Sequence, residues 1–64
     1  MGYIIYSPTA GGEAYWDSSD GWTFRLEDAT RYESASQAVE AIRKLRARGH
    51  RVGGYRDLKG SARQ

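Results

Sequence analysis

The sequence contains no cysteine, one histidine and one proline among its 64 residues. Without cysteine there is no disulfide, no thiolate metal ligand and no cysteine nucleophile. His50 alone cannot build a zinc site unless several carboxylates supply the remaining ligands. We therefore expect no metal and no other cofactor, and we expect packed side chains to provide the stability of the fold.

Long apolar runs are also absent. Nothing in the sequence approaches the ~18 consecutive apolar residues that a membrane-spanning helix needs. The first residues lack the basic region and apolar run of a secretory signal. These absences predict a cytoplasmic protein without a membrane partner.

The length of the chain limits its core. A domain of this size buries only ~60% of the surface that its unfolded chain exposes, and 64 residues leave no room for a second domain. Two Trp, five Tyr and one Phe are the main source of buried area. We expect a single α+β domain over residues 1–58 and a frayed tail over residues 59–64.

Strand patterns begin and end the chain. Tyr3–Ser7 is β-branched and aromatic and is followed by Pro8, which predicts a first strand. Arg51–Leu58 fits a last strand, in which Gly53 and Gly54 indicate a bulge or a close approach of another segment.

A β-hairpin is predicted between them. Glu13–Asp17 alternates, so that Ala14 and Trp16 share one face and the flanking residues share the other. Residues 18–21 (SSDG) are a loop signal. Three apolar residues then follow at period two: Trp22, Phe24 and Leu26. Residues 27–32 predict a helical turn followed by a short strand centred on Tyr32.

A helix is predicted from about Ala35 to Arg48. Ser34 and Gln37 match a capping box, in which the serine satisfies a free backbone N–H and the glutamine reaches back. Gly49 stands where a left-handed C-cap belongs. The apolar positions fall on one face: Ala35, Ala38, Val39, Ile42 and Leu45.

The element order β-β-β-α-β predicts an α+β fold, a small antiparallel sheet of three or four strands packed against one helix. The expected core residues are Ile5 or Ile4, Trp16, Trp22, Phe24, Leu26, Ala38, Ile42, Leu45 and Val52. Tyr3–Ser7 is a candidate edge strand that would permit dimerisation by strand addition, although we expect a monomer.

Charge is unevenly distributed along the chain. Residues 1–33 carry six acids against Arg25 and Arg31, a net charge of −4. Residues 34–64 carry eight bases against Glu40 and Asp57, a net charge of +6, and the two halves give the total of +2. The sequence therefore predicts two oppositely charged surfaces.

The stretches DGWT and LEDATRYES precede an alanine-rich helix. This segment resembles a pattern of small phage and mobile-element proteins, in which a Gly-Asp-Gly-Trp-Thr strand end precedes an Ala-x-x-Phe/Tyr segment and a Ser-capped helix. The matching residues are Asp20, Gly21, Trp22 and Thr23, then Ala29 and Tyr32, then Ser34, Ala38 and Ala41. They are a turn, a core aromatic, a cap and a core face, so the resemblance implies a fold and a phage origin and no active site.

No enzyme motif stands out. The serines at 18, 19, 34 and 36 fall in a loop and a helix cap, and His50 is a lone titratable group. Phage proteins of this size that lack enzyme motifs frequently inhibit host machinery. Anti-CRISPR proteins are the best-known group, and this chain is similar to them in size and character, which implies an inhibitor acting in the host bacterial cytoplasm.

The acidic surface is the leading candidate for partner binding. Electrostatic complementarity would speed its encounter with a basic DNA-handling surface, and aromatic residues would supply contact area. Its candidate residues are Glu13, Tyr15, Asp17, Asp20, Glu27, Asp28 and Glu33. We expect a non-catalytic inhibitor that binds a subunit of a bacterial CRISPR–Cas effector complex and blocks target DNA, without itself binding nucleic acid.

The alternative is a small nucleic-acid-binding accessory protein. Counterion release at the basic helix end would drive that binding, through Arg43, Lys44, Arg48 and Arg51. Arg46 lies near the buried side of the helix, where its stem packs and its head reaches solvent. Binding of a single strand on Tyr15 would require Arg25 and Tyr55 to lie beside it.

Overall fold

Alternating side chains along the first strands produce a four-stranded antiparallel sheet in the computed structural model, which describes residues 2–58. The strands are β1 (Tyr3–Thr9), β2 (Gly12–Asp17), β3 (Gly21–Thr23) and β4 (Gly54–Asp57). A 3-10 helix (Leu26–Asp28) and the helix α1 (Ala35–Ala47) lie between β3 and β4. The protein is thus a small α+β domain, as predicted, whereas the predicted tail 59–64 lies outside the described residues.

The sheet order is β3-β2-β1-β4. The prediction of Tyr3–Ser7 as an edge strand is wrong, because β2 and β4 pair with β1 on its two sides. The order of the elements along the chain does not reveal this arrangement, because the last strand, β4, pairs with the first strand, β1. The edges of the sheet are β3 and β4, which are the two shortest strands.

The core lies between the sheet and α1. Ile5 packs with Ile42, Leu45 and Val52, and Trp16, Trp22, Tyr32 and Ala41 pack against this cluster as partly buried neighbours. Ile4 and Ile5 point to opposite faces of β1, yet both are 0% exposed. The sheet is therefore covered on both faces at β1, one of its two inner strands, and both isoleucines are buried.

Two predicted core residues are exposed. Phe24 is 64% exposed and Leu26 is 40% exposed. The chain bends at Phe24 and enters the 3-10 helix at Leu26, so β3 ends before either residue can face the core. The prediction of a strand running from Trp22 to Leu26 is wrong for this reason, and small side chains at Ala14 and Ala29 are buried instead.

The chain returns to the sheet after the 3-10 helix. The N–H of Thr30 donates to the carbonyl of Trp16 at 2.9 Å, and Tyr32 exchanges two backbone hydrogen bonds of 2.8 Å with Tyr3. The predicted helical turn is confirmed, whereas the predicted short strand at Tyr32 is reduced to an isolated bridge with Tyr3. This return brings Tyr32 against the core beneath α1.

Local capping determines where α1 begins and ends. The hydroxyl of Ser34 accepts a hydrogen bond from the backbone N–H of Gln37 at 3.2 Å. The side chain of Gln37 accepts from Glu33 N–H, one residue before the predicted position. Gly49 has a φ of 92° and ends the helix with its N–H bonded to Arg46. The buried face is Ala38, Ile42 and Leu45, and Val39, predicted on this face, is exposed.

Candidate functional site

The acidic surface (Glu13, Tyr15, Asp17, Asp20, Glu27, Asp28 and Glu33) begins on the sheet face away from α1. Ala14 is buried and Trp16 packs against the core, so their neighbours Glu13, Tyr15 and Asp17 point to the opposite face. The alternation of side chains along Glu13–Asp17 therefore predicted the sheet face of these three residues correctly.

A salt bridge partly neutralises this face. Glu13 pairs with Arg56 of β4, and the guanidinium of Arg56 lies 4.6 Å from the ring centre of Tyr6. The arginine comes from the half of the chain with net positive charge, 43 residues from its partner. The sheet face therefore presents less negative charge than the sequence of residues 1–33 predicts.

Other acids of the surface have local partners as well. Arg25 contacts Glu27 at 3.1 Å and Asp28 at 3.5 Å. A carboxylate oxygen of Asp17 accepts the N–H of Ser19 at 2.9 Å and closes the β2–β3 turn. Asp20 and Glu33 are the exposed acids of this surface whose carboxylates have no partner within residues 2–58.

The aromatic arrangement considered around Tyr15 is absent. Tyr55 pairs with Ile5 across the sheet and therefore faces the same side as the core, where its ring centre lies 5.8 Å from that of Tyr3. Tyr15 faces the other side, and Arg25 is held by its two acids. The requirement that Arg25 and Tyr55 adjoin Tyr15 is not met.

The basic end (Arg43, Lys44, Arg48 and Arg51) occupies the last turns of α1 and the loop that follows. All four side chains are exposed, and none pairs with a carboxylate among the described residues. The guanidinium of the neighbouring Arg46, which was predicted to reach solvent, donates to the carbonyl of Val52 at 3.0 Å, a contact that the sequence did not predict. This bond fixes the loop, so the basic end is held on a defined backbone.

A cluster of three rings lies beside the basic end. Trp16 and Trp22 are directly opposite each other on β2 and β3, and their ring centres are 5.2 Å apart in an edge-to-face arrangement. His50 follows the C-cap of α1 and packs on both, at 5.6 Å and 6.1 Å. Nε1 of Trp22 donates to Nδ1 of His50 at 3.3 Å, so the imidazole acts as acceptor there.

Two shallow grooves adjoin the tryptophan pair. The smaller, of about 150 Å³, lies at Trp16 and is lined by Lys44 and Arg48 together with Ala41 and Leu45. The larger, of about 320 Å³, lies at Trp22 and has Phe24 and Arg51 among its lining residues. The smaller groove thus combines a tryptophan with two cations of the basic end, and the larger groove combines one with a single cation.

Sequence reasoning missed Phe24 as a surface residue and both tryptophans as groove walls. Strand parity placed Trp16 and Trp22 on one face, which is correct, but it also suggested that α1 would cover them together with Phe24. The sequence did contain a signal for a site near these aromatic residues. It is the run RARGHR at residues 46–51, in which arginines surround His50.

Among residues 2–58, α1 is too short and too polar to cross a membrane, and no other helix there could do so. Comparison with models of known protein families, with curated proteins and with solved structures gives no match to this chain.

Proposed function

We propose that the chain is a small, non-catalytic nucleic-acid-binding protein that contacts phosphates through its basic end. The observation that supports this most strongly is the difference between the two charged surfaces. The four cations of the basic end have no carboxylate partner within residues 2–58, whereas Glu13, Glu27 and Asp28 are paired with arginines. The charge available to a partner is therefore more concentrated at the basic end.

Exposed cations without partners are suited to a polyanion. Each phosphate that such a cation neutralises releases counterions, which is the main sequence-independent source of affinity for nucleic acids. An exposed cation that is already paired has to break its ion pair first, which reduces the gain. The basic end is free of this cost, and the hydrogen bond from Arg46 to Val52 holds its loop in place.

The proposal is tested by two double variants with the same change in net charge. Arg48→Gln/Arg51→Gln and Arg25→Gln/Arg56→Gln each lower the net charge from +2 to 0. The first removes cations of the basic end and the second removes arginines that pair with acids. In a gel shift at low salt with a labelled oligonucleotide, we expect the first to weaken binding roughly tenfold and the second to leave it unchanged. Equal effects of the two variants would contradict a local site.

A second candidate is the non-catalytic inhibitor of anti-CRISPR type, which would bind a basic DNA-handling surface of a bacterial CRISPR–Cas effector subunit through the acidic surface. Asp20 and Glu33 support it, since both are exposed and unpaired within residues 2–58. Here the chain would exclude target DNA from its partner without binding DNA itself.

The second candidate predicts a different sensitivity to charge reversal. Asp20→Lys/Glu33→Lys would abolish inhibition of DNA binding by a purified effector complex, and Glu40→Lys, on the exposed side of α1, would not. Asp20 and Glu33 are better targets than Asp17, whose carboxylate closes a turn. Absence of inhibition by the unmodified protein would remove this candidate for that complex.

A further inference from the structure

We propose that the larger groove, lined by Trp22, Phe24 and Arg51, stacks an unpaired nucleobase, so that the protein prefers single strands to duplexes. This inference rests on the proposed nucleic-acid binding and specifies its ligand. Phe24 is 64% exposed, the most exposed of the large apolar side chains that the structure describes. It lies in the groove beside a cation, which distinguishes it from a solitary exposed ring.

The Trp22 side chain, which forms one wall of the groove, is held in place by its contacts. Trp22 packs edge-to-face on Trp16 and donates its indole N–H to His50. Because the ring is already fixed, a base that stacks in the groove does not have to order it. Preorganisation of this kind lowers the entropic cost of binding.

Charge complementarity favours a nucleic acid as the occupant. Arg51 lines the larger groove, and Lys44 and Arg48 line the smaller one on the Trp16 side of the tryptophan pair. Aromatic and cationic side chains therefore line both grooves together. A single strand presents base faces beside its phosphates, and proteins bind it by stacking and phosphate contact together. A duplex offers its phosphates but keeps its base faces stacked inside.

The two hydroxyl groups that line the groove already have partners. The hydroxyl of Ser7 donates to the carbonyl of Arg51 at 2.5 Å. The hydroxyl of Thr9 donates to the carbonyl of Gly12 and accepts the N–H of Gly11. With these groups engaged, stacking rather than hydrogen bonding to base edges would dominate recognition. We therefore expect single-strand binding with little dependence on base sequence.

The test compares Phe24→Leu with Tyr55→Leu. Both replace an exposed aromatic ring by an apolar side chain of smaller size, but Tyr55 lies on β4, outside the groove. The probes are a fluorescein-labelled oligothymidine of about 12 nucleotides and a duplex of the same length. Fluorescence anisotropy at low salt gives the affinities, and circular dichroism checks that each variant is folded.

We expect the unmodified protein to bind the single strand about tenfold more tightly than the duplex. Phe24→Leu should weaken single-strand binding about tenfold, a typical stacking contribution, and should leave duplex binding unchanged. Tyr55→Leu should change neither. Equal affinity for the two probes, with no effect of Phe24→Leu, would overturn the stacking groove and leave phosphate binding by the basic end standing. Absence of binding to both probes would overturn both proposals.

Discussion

The indole N–H of Trp22 donates a hydrogen bond to Nδ1 of His50 at 3.3 Å, which joins two residues 28 positions apart in the chain. Trp22 belongs to the three-residue edge strand β3, and His50 belongs to the loop that follows α1. The bond ties the outer edge of the sheet to the end of the helix. It also places His50 between the core and the basic end, so the packing of the fold and the candidate site share this residue.

Replacement of His50 should reveal the contribution of this bond. His50→Leu removes the acceptor and leaves the partly buried indole N–H without its partner, which should lower the free energy of unfolding by about 1 kcal/mol. His50→Gln, which retains an acceptor group, should lose less. Urea unfolding followed by tryptophan fluorescence measures both variants. A larger loss for His50→Gln than for His50→Leu would contradict the importance of the hydrogen bond.

Gly53, directly before β4, lies so close to β1 that a side chain has no room. A Cβ at this position would lie 2.7 Å from Cε1 of Tyr6 and 2.8 Å from Cδ of Pro8. Because the proline ring is rigid and Arg56 stacks on the tyrosine ring, Gly53→Ala should destabilise the protein by about 1–3 kcal/mol.

Gly11 provides the control for this steric effect. A Cβ there would meet its nearest atoms, in Phe24 and Thr9, only at 4.0 Å. Gly11→Ala should therefore leave the thermal midpoint nearly unchanged while Gly53→Ala lowers it. Equal thermal midpoints for the two variants would contradict this steric effect, because Tyr6 and Pro8 would then move aside with no loss of stability.

The N-cap of α1 should contribute measurably to stability. Ser34→Ala removes the hydroxyl that accepts the N–H of Gln37, and such a loss costs about 1 kcal/mol. Ser36→Ala makes the same chemical change inside the first turn, where alanine is a better helix former, and should be neutral or stabilising. Thermal unfolding followed by circular dichroism compares the pair, and an equal cost at both positions would contradict the assigned cap.

Stability should fall in alkaline solution through Tyr32. Burial raises the pKa of Tyr32 above its ordinary value of 10.0, because desolvation disfavours the phenolate. Above about pH 10 the unfolded chain loses this proton while the folded chain retains it, so the free energy of unfolding decreases as the pH rises. Below that pH the contribution is fully present. Tyr32→Phe should show a smaller decrease than the unmodified protein between pH 9 and pH 11 in urea unfolding, and identical decreases would contradict this role for Tyr32.

The parts of the fold that depend on local signals were predictable. Ser34 and Gly49 mark the two ends of α1 because capping involves residues within one turn. Trp16 and Trp22 face one side because parity follows from strand geometry alone. In contrast, the exposure of Phe24 depends on the point where the chain leaves the sheet.

Contacts between distant strands were not predictable in this way. The ion pair of Glu13 and Arg56 exists because β2 and β4 flank β1, an order that no local pattern encodes. That ion pair neutralises part of the negative charge that the sequence predicts for the acidic surface. The grooves beside Trp16 and Trp22 likewise require the tertiary position of the basic loop.

The dependence of oligonucleotide affinity on salt concentration tests the central claim most directly. If the four cations of the basic end each neutralise one phosphate of a single strand, a plot of log K against log salt concentration should have a slope of about −3, at about 0.7 per contact. Arg48→Gln/Arg51→Gln should reduce the magnitude of that slope by about half, and Arg25→Gln/Arg56→Gln should preserve it. A flat plot, or a slope that the Arg48→Gln/Arg51→Gln variant leaves unchanged, would contradict phosphate binding by the basic end.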